Sequence, residues 1–387
     1  MKRSKYYAIS IVLVMFIGML VGCAAPASPT TTPEVVPTDA PAVAATEAPL
    51  VEVTQSPIIV TDALGRTVEF SEHPQRIVMI GKGTTLLANS AFMFSEAQDR
   101  VIAYELRLQM PERNFVKSVF PKTENVTLLD KDAGPEQVAP LNPDLVIIKS
   151  YNKEKLGNAI EALGVNVIYL DLESTEQFYQ DIYTLGQIFG NDARAEEIVA
   201  LYKANETRIA DGLNGLSDAD KPSILLLSYS DKGGTVAFAV PPMEWLQTVL
   251  VQNAGGDPAW KDAISEGGWT VVSLEQIAAW NADMVFIVDY SGKAMDVVAQ
   301  LKADANWQAL DAVINNQIYA FPVDFLSWDQ ADPRWGLGEL WLAAKIHPDR
   351  FEGLNFTEEI SDFYKTYYGL EDTTIIEKVM PLVSGDL

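Results

Sequence analysis

Residues 191–216 read NDARAEEIVALYKANETRIADGLNGL, and the fold turns on how they are read. Apolar side chains fall at Ile198, Leu201, Tyr202, Ile209, Leu213 and Leu216, a spacing that puts them on one face of a helix. The pattern predicts one long helix from Asp192 to Leu216. Asp192 can cap its start, with Glu196 and Glu197 in the first turns. Gly212, Gly215 and Lys221-Pro222 end it.

The segments on either side resemble each other. Residues 135–148, PEQVAPLNPDLVII, align with residues 274–287, LEQIAAWNADMVFI, 139 positions further on. Glu136/Glu275, Gln137/Gln276, Ala139/Ala278, Asn142/Asn281, Asp144/Asp283 and Val146/Val285 are identical pairs. Each copy reads as a short helix, a turn and a buried strand. The apolar runs 76–80 (RIVMI) and 223–227 (SILLL) form a second pair, and 167–170 (VIYL) with 317–320 (QIYA) a third, in the same order. Three pairs at similar offsets predict two lobes of like topology. The expected class is α/β: two Rossmann-like lobes, with mainly parallel sheets, bridged by one long helix. The predicted boundaries are an N-terminal lobe at 57–190, the bridging helix at 191–217 and a C-terminal lobe at 218–387.

The 387-residue chain has room for two domains. Its net charge is −25, which weighs against nucleic acid or an anionic membrane surface as partner. One cysteine and two histidines leave no intrachain disulfide and hardly any Cys/His metal cage. Residues 1–23 read as an export signal: Lys2, Arg3 and Lys5, an apolar core from Ala8 to Leu20, then Leu20-Val21-Gly22-Cys23. That ending is similar to a bacterial lipobox, with Cys23 as the lipidated residue. Residues 24–56, rich in Ala, Pro and Thr, read as a disordered tether reaching on the order of 30 Å.

Within the lobes, a hairpin is expected around Gly65 and another around Gly233-Gly234. Strands are expected at 101–105 and 145–148, and helices at 84–94, 153–163, 174–189, 244–253, 301–310, 333–346 and 357–368. In parallel sheets, ligands bind beyond the carboxyl ends of the strands. The residues there include Lys82, Thr84, Tyr104, Lys149, Tyr151, Tyr229, Tyr290 and Trp328, with Trp269 and Arg334 in nearby loops. Aromatic, cationic and hydroxyl groups in this mixture suit a bulky, partly anionic ligand. Arg334 has a structural alternative, an ion pair with Asp329 or Asp332. Little there suits catalysis: the folded body has no cysteine, and His73 and His347 sit beside prolines away from these ends. Asp130 with Asp132 is the one carboxylate pair noted, more simply read as a solvated loop. A binding protein is therefore expected rather than an enzyme, with no catalytic residue, metal or cofactor.

The lipobox, the tether, the opening D-x-L-G-R-x-V with P-x-R-I-V, and P-E-Q-V-A-P-L-N-P-D-L-V-I-I with its echo together resemble substrate-binding lipoproteins of ABC importers. More narrowly, the chain is similar to the helical-backbone group that takes up iron–siderophores, haem and cobalamin, over about Ile58 to Leu370. The resemblance implies two lobes joined by a long helix with little hinge closure. It also implies a metal chelate held between the lobes, a permease and ATPase as partners, a lipid anchor at the cell membrane and a monomeric chain. It further implies an acidic docking residue on each lobe, for which position suggests Glu154 and Asp296. The family's zinc- and manganese-binding branch uses histidines that this chain lacks at the right places. Related oxyanion binders carry molybdate or tungstate, for which Lys82, Thr84 and Arg334 would be suitable. A chelatase-like surface enzyme acting on tetrapyrroles and a sensor lipoprotein are the remaining alternatives.

Overall fold

In the computed structural model the described residues are 56–110, 112–262 and 267–387. The export signal, Cys23 and the tether fall outside them. The chain opens with the hairpin β1 (Ile58–Thr61) and β2 (Thr67–Phe70). Asp62 shapes its turn by accepting from Leu64 N and Arg66 N, both at 3.0 Å. The first sheet follows: β3 (Ile77–Met79), β4 (Val101–Glu105), β5 (Thr127–Leu129), β6 (Leu145–Lys149) and β7 (Asn166–Leu170). Their order is β5-β4-β3-β6-β7 and every pairing is parallel. Helix α1 (Thr84–Ala91) connects β3 towards β4, and α2 (Thr175–Phe189) follows β7.

The spine, α3 (Asp192–Gly212), is shorter than the spacing suggests, because Leu213 and Leu216 lie past its end. Its cap is Asn191, whose side chain accepts from Arg194 N at 3.1 Å, rather than Asp192, the first helical residue. Ala195, Ile198, Val199, Tyr202 and Ile209 form the buried face.

The second sheet is built from β8 (Ser223–Ser230), β9 (Ala237–Val240), β10 (Asp257–Pro258), β11 (Thr270–Val272), β12 (Met284–Val288) and β13 (Ile318–Ala320). Strands β8, β10, β12 and β13 are parallel, as expected; β9 runs antiparallel to β8, as the expected hairpin requires, and β11 pairs antiparallel with β9 at the edge. The Gly233-Gly234 turn folds β9 back onto the end of β8, at Ser228, Tyr229 and Ser230, while β10 pairs only with its start, at Ser223 and Ile224. Helices α4 (Leu246–Asn253), α5 (Leu274–Trp280) and α6 (Ala294–Ala303) belong to this sheet. The helix expected at 301–310 is displaced to α6. Leu301, Trp307 and Leu310 all point inward, which imitates a helical spacing, but the backbone turns extended at Asp304. Helices α7 (Trp335–Ile346) and α8 (Phe356–Tyr368) pack over the spine, where Tyr202 stacks on Trp335 at 4.6 Å.

The internal repeat is visible in detail. Asn142 and Asn281 both take the left-handed conformation that ends their helical turns, at φ 47° and 40°. Asp144 then accepts from Arg76 N at 2.9 Å at the start of β3, and Asp283 from Ser223 N at 2.7 Å at the start of β8. In each half an Asp thus ties the central strand to the strand beside it.

The halves are also joined directly. Asn89 donates to Asp332 at 2.6 Å and Arg113 donates to the Asp324 carbonyl. Phe115 packs edge-on against Phe325 and Tyr368, at 5.3 and 4.7 Å.

Candidate functional site

Beyond the carboxyl ends of both sheets lies a cleft of about 650 Å³. The first half of the chain lines it with Lys82, Leu86, Gln109, Tyr151 and Glu173, and the second with Trp245, Gln247, Trp269, Tyr290 and Gln330. A second cavity of about 490 Å³ shares Lys82, Leu86, Gln109 and Tyr151, and adds Arg107, Lys131 and Lys232. The two are parts of one groove with different ends. One end is walled by aromatics: Trp245 and Trp269 meet edge to face at 6.1 Å, and Trp269 and Tyr290 at 6.3 Å. The other end carries four cationic side chains in a protein of net charge −25. At the junction Gln109 and Gln330 exchange two hydrogen bonds across the cleft, at 2.6 and 3.0 Å.

The β3–α1 loop sets the position of Lys82. Gly83 has φ 88°, and a Cβ there would stand 2.5 Å from Lys149 Cδ and 2.7 Å from the Tyr151 hydroxyl. That closeness lets Tyr151 donate to the Lys82 carbonyl at 2.8 Å. The Lys82 and Lys149 ammonium groups lie 6.0 and 5.7 Å from the Tyr151 ring centre. Lys149 is fully buried and pairs with Glu173, so it acts on the cleft through these two neighbours.

Of the residues expected at the cleft, Lys82, Tyr151 and Tyr290 from strand ends and Trp269 from a loop line it, and Lys149 stands behind it. The others are engaged elsewhere. The Thr84 hydroxyl is buried and donates to the Gly81 carbonyl. Tyr104 is a core residue donating to Asn114 at 2.9 Å, and burial pushes its hydroxyl up to about 12, against that hydrogen bond. Tyr229 packs on Phe238, which in turn packs on Trp307. Trp328 is buried and donates to Asp324 at 3.0 Å. Arg334 takes the structural role: it pairs with Asp332 at 2.7 Å, one of the two expected partners, and with Asp324 at 2.6 Å in place of Asp329. Asp329 instead accepts from Tyr290 at 2.8 Å. Asp130 and Asp132 lie in an exposed loop, with Asp132 paired to Arg107. Both histidines contact backbone carbonyls, Gln187 and Gly255, at 3.1 Å. Glu154 and Asp296 are exposed in the first turns of the helical segments after β6 and β12. Among the described residues no cluster of three or more His, Cys, Asp or Glu could hold a metal ion. No helix there is long and apolar enough to cross a membrane.

Glu173, Gln109, Trp245, Gln247 and Gln330 are cleft residues that the sequence reading did not single out. Glu173 follows β7 and obeys the strand-end rule. The three glutamines lie where no periodicity marks them as facing a cleft.

Glu173 is presented by a turn with a pH-sensitive hold. Leu172 has φ 61°, unusual for a residue with a side chain, and its N–H donates to Asp181 at 2.7 Å, as does that of Asp171. Burial raises the Asp181 carboxyl to about 6, against these hydrogen bonds and one from Gln177, with Asp171 adding to the rise. A carboxyl raised in the folded state contributes stability below its unfolded value of 3.8, and loses it as pH climbs through about 6. Asp181→Asn is expected to flatten this part of the stability profile, read by urea unfolding at a series of pH values. An unchanged slope would show that Asp181 does not titrate there.

Residues 112–324 match the family profile described as periplasmic binding protein. The chain is 24% identical over 335 residues to the molybdate-binding protein MolA of Haemophilus influenzae, covering 80% of this chain and 90% of that one. It is also 24% identical over 278 residues to the iron(3+)-hydroxamate-binding protein YxeB of Bacillus subtilis, covering 69% and 78%. The crystal structure of the TroA-like periplasmic binding protein FepB from Veillonella parvula superposes with a TM-score of 0.66. Sequence identity there is 22%, covering 81% of this chain and 97% of that one.

Proposed function

We propose, because this chain belongs to the periplasmic binding protein family, that it is the substrate-binding component of an ABC importer. In this reading it is held outside the cytoplasmic membrane by a lipid on Cys23. It takes up a metal chelate of the iron–siderophore, haem or corrinoid type and passes it to a permease. The observation that carries the reading is the two-ended cleft, aromatic at Trp245, Trp269 and Tyr290 and cationic at Lys82, Lys131 and Lys232, with Arg107 beside them paired to Glu105 and Asp132. A cavity of about 650 Å³ suits a ligand of many atoms better than a single tetrahedral anion. Stacking would hold the flat or apolar part and the cations an acidic part.

The second reading, an oxyanion ligand, draws on the molybdate-binding relative and on the cationic end. It loses Thr84 and Arg334, whose polar groups are bound inside the protein.

The test is tryptophan fluorescence of the protein titrated with ferric hydroxamate and catecholate siderophores, haemin, cobalamin, molybdate and tungstate. Saturable one-to-one quenching by one chelate is expected, reported by Trp245 and Trp269 and weakened by about tenfold in Trp269→Ala. A response to molybdate or tungstate alone would replace the chelate reading with the oxyanion reading. No response to any would sink both.

A further inference from the structure

We propose that Glu206 and Glu339 form a binding site for a hard divalent cation of the calcium type, held between the spine α3 and helices α4 and α7. The site shares no residue with the ligand cleft and goes beyond the function proposed above. A cavity of about 270 Å³ is lined by Glu206, Ile209, Ala210, Asn253 and Glu339. Among the described residues its charged walls are the two carboxylates alone. Glu339 is fully buried; its Oε1 accepts from Asn253 Nδ2 at 2.8 Å, while its Oε2 is buried with no hydrogen-bond partner. Glu206 is half-buried and receives the Tyr179 hydroxyl on Oε1 at 2.7 Å, which fixes it and leaves Oε2 for a second partner.

A buried carboxylate oxygen facing a second carboxylate, with no cation beside it, is costly unless a positive charge or a proton joins it. The donors are all oxygens: two carboxylates, with the Asn253 amide oxygen in reach if the amide turns. That set selects calcium or magnesium over softer metals. Calcium fits better, since it tolerates irregular geometry and completes its shell with water. Few protein ligands predict weak binding, a Kd on the order of 10⁻⁴–10⁻³ M, the range of extracellular calcium modules. Burial pushes the Glu339 carboxyl up to about 7, against the Asn253 hydrogen bond and with Glu206 adding to the rise. A proton is therefore the competing occupant, and the experiment belongs at about pH 8.

The experiment is terbium luminescence of the full chain after chelator treatment, excited through tyrosine, with Tyr179 as the sensitiser bonded to Glu206. Wild type is expected to give a saturable signal displaced by calcium chloride at about 1–10 mM. Calcium should also raise the melting temperature by about 2 °C against a sodium chloride control of equal ionic strength. Both effects should fall at least about tenfold in Glu339→Gln and in Glu206→Gln. Should Glu339→Gln fail to fold, Glu206→Gln at the cavity mouth carries the same comparison. Undiminished terbium binding in the variants would overturn the proposal and place the metal on other surface acids. So would a wild type that ignores calcium while Glu339→Gln melts higher, since a proton alone then satisfies the pair. Chelate titration of the cleft should be unaltered in both variants, so failure here is distinguishable from failure of the transport reading.

Discussion

Replacing Arg334 with methionine is expected to cost the folded protein about 3–5 kcal/mol, out of a total of about 5–15 kcal/mol. The guanidinium is fully buried between Asp324 and Asp332, which are fully buried themselves. It also lies 4.6 Å from the Phe115 ring centre, so it holds an aromatic from the other half of the chain. Without it two carboxylates remain in the interior with only neutral donors. Asp324 would keep the Trp328 and Tyr364 groups, and Asp332 would keep Asn89. Urea unfolding should show a lower midpoint at an unchanged slope. Arg334→Lys should fall between, since it restores charge but not the two-armed geometry. A methionine variant that unfolds at the wild-type midpoint would show that the triad contributes nothing net, as hydrophobic replacements of some buried ion pairs do.

Reversing both Glu154 and Asp296 to lysine is expected to abolish most transport, by about tenfold or more, while chelate affinity stays within about twofold. The two acids are exposed, follow the equivalent strands β6 and β12 beside the central ones, and line neither part of the cleft. If each meets a basic group on the permease, reversal sets like charges face to face, which costs several kcal/mol per contact. The measurement is uptake in cells carrying the matching permease and ATPase, beside fluorescence affinity for the same ligand. Uptake at the wild-type rate would remove both residues from the docking surface. An equal loss of affinity would mean that the changes act through the cleft.

The bilobal plan was legible because the same few residues do the same work twice. Asn142 and Asn281 take a backbone conformation that few side chains tolerate, and Asp144 and Asp283 hold a strand end, so their spacing carries topology. The antiparallel β9 was legible from the Gly233-Gly234 turn, but β11 was not, because three residues, Thr270–Val272, are too short a run to mark a strand or its direction. The cleft was half legible. The strand-end rule reaches Lys82, Tyr151 and Tyr290, since those positions follow from sheet geometry alone. It also picks out Tyr104, Tyr229 and Trp328, because composition does not say whether an aromatic faces a groove or a helix layer. Arg334 and Asp324 stand ten positions apart and meet through a loop fold that no periodicity records.

The reciprocal pair of Gln109 and Gln330 at the cleft junction has its polarity set by a third bond, since Gln330 Nε2 also donates to the Ser327 carbonyl at 3.4 Å. Turning both amides over would keep the pair but press the Gln330 oxygen against that carbonyl oxygen, so Ser327 holds Gln330, and through it Gln109, in one orientation. The second N–H of Gln330 is spent inside the protein, and the one left for a ligand belongs to Gln109. The junction is thus a keyed latch, handed by a single backbone carbonyl of the second half of the chain.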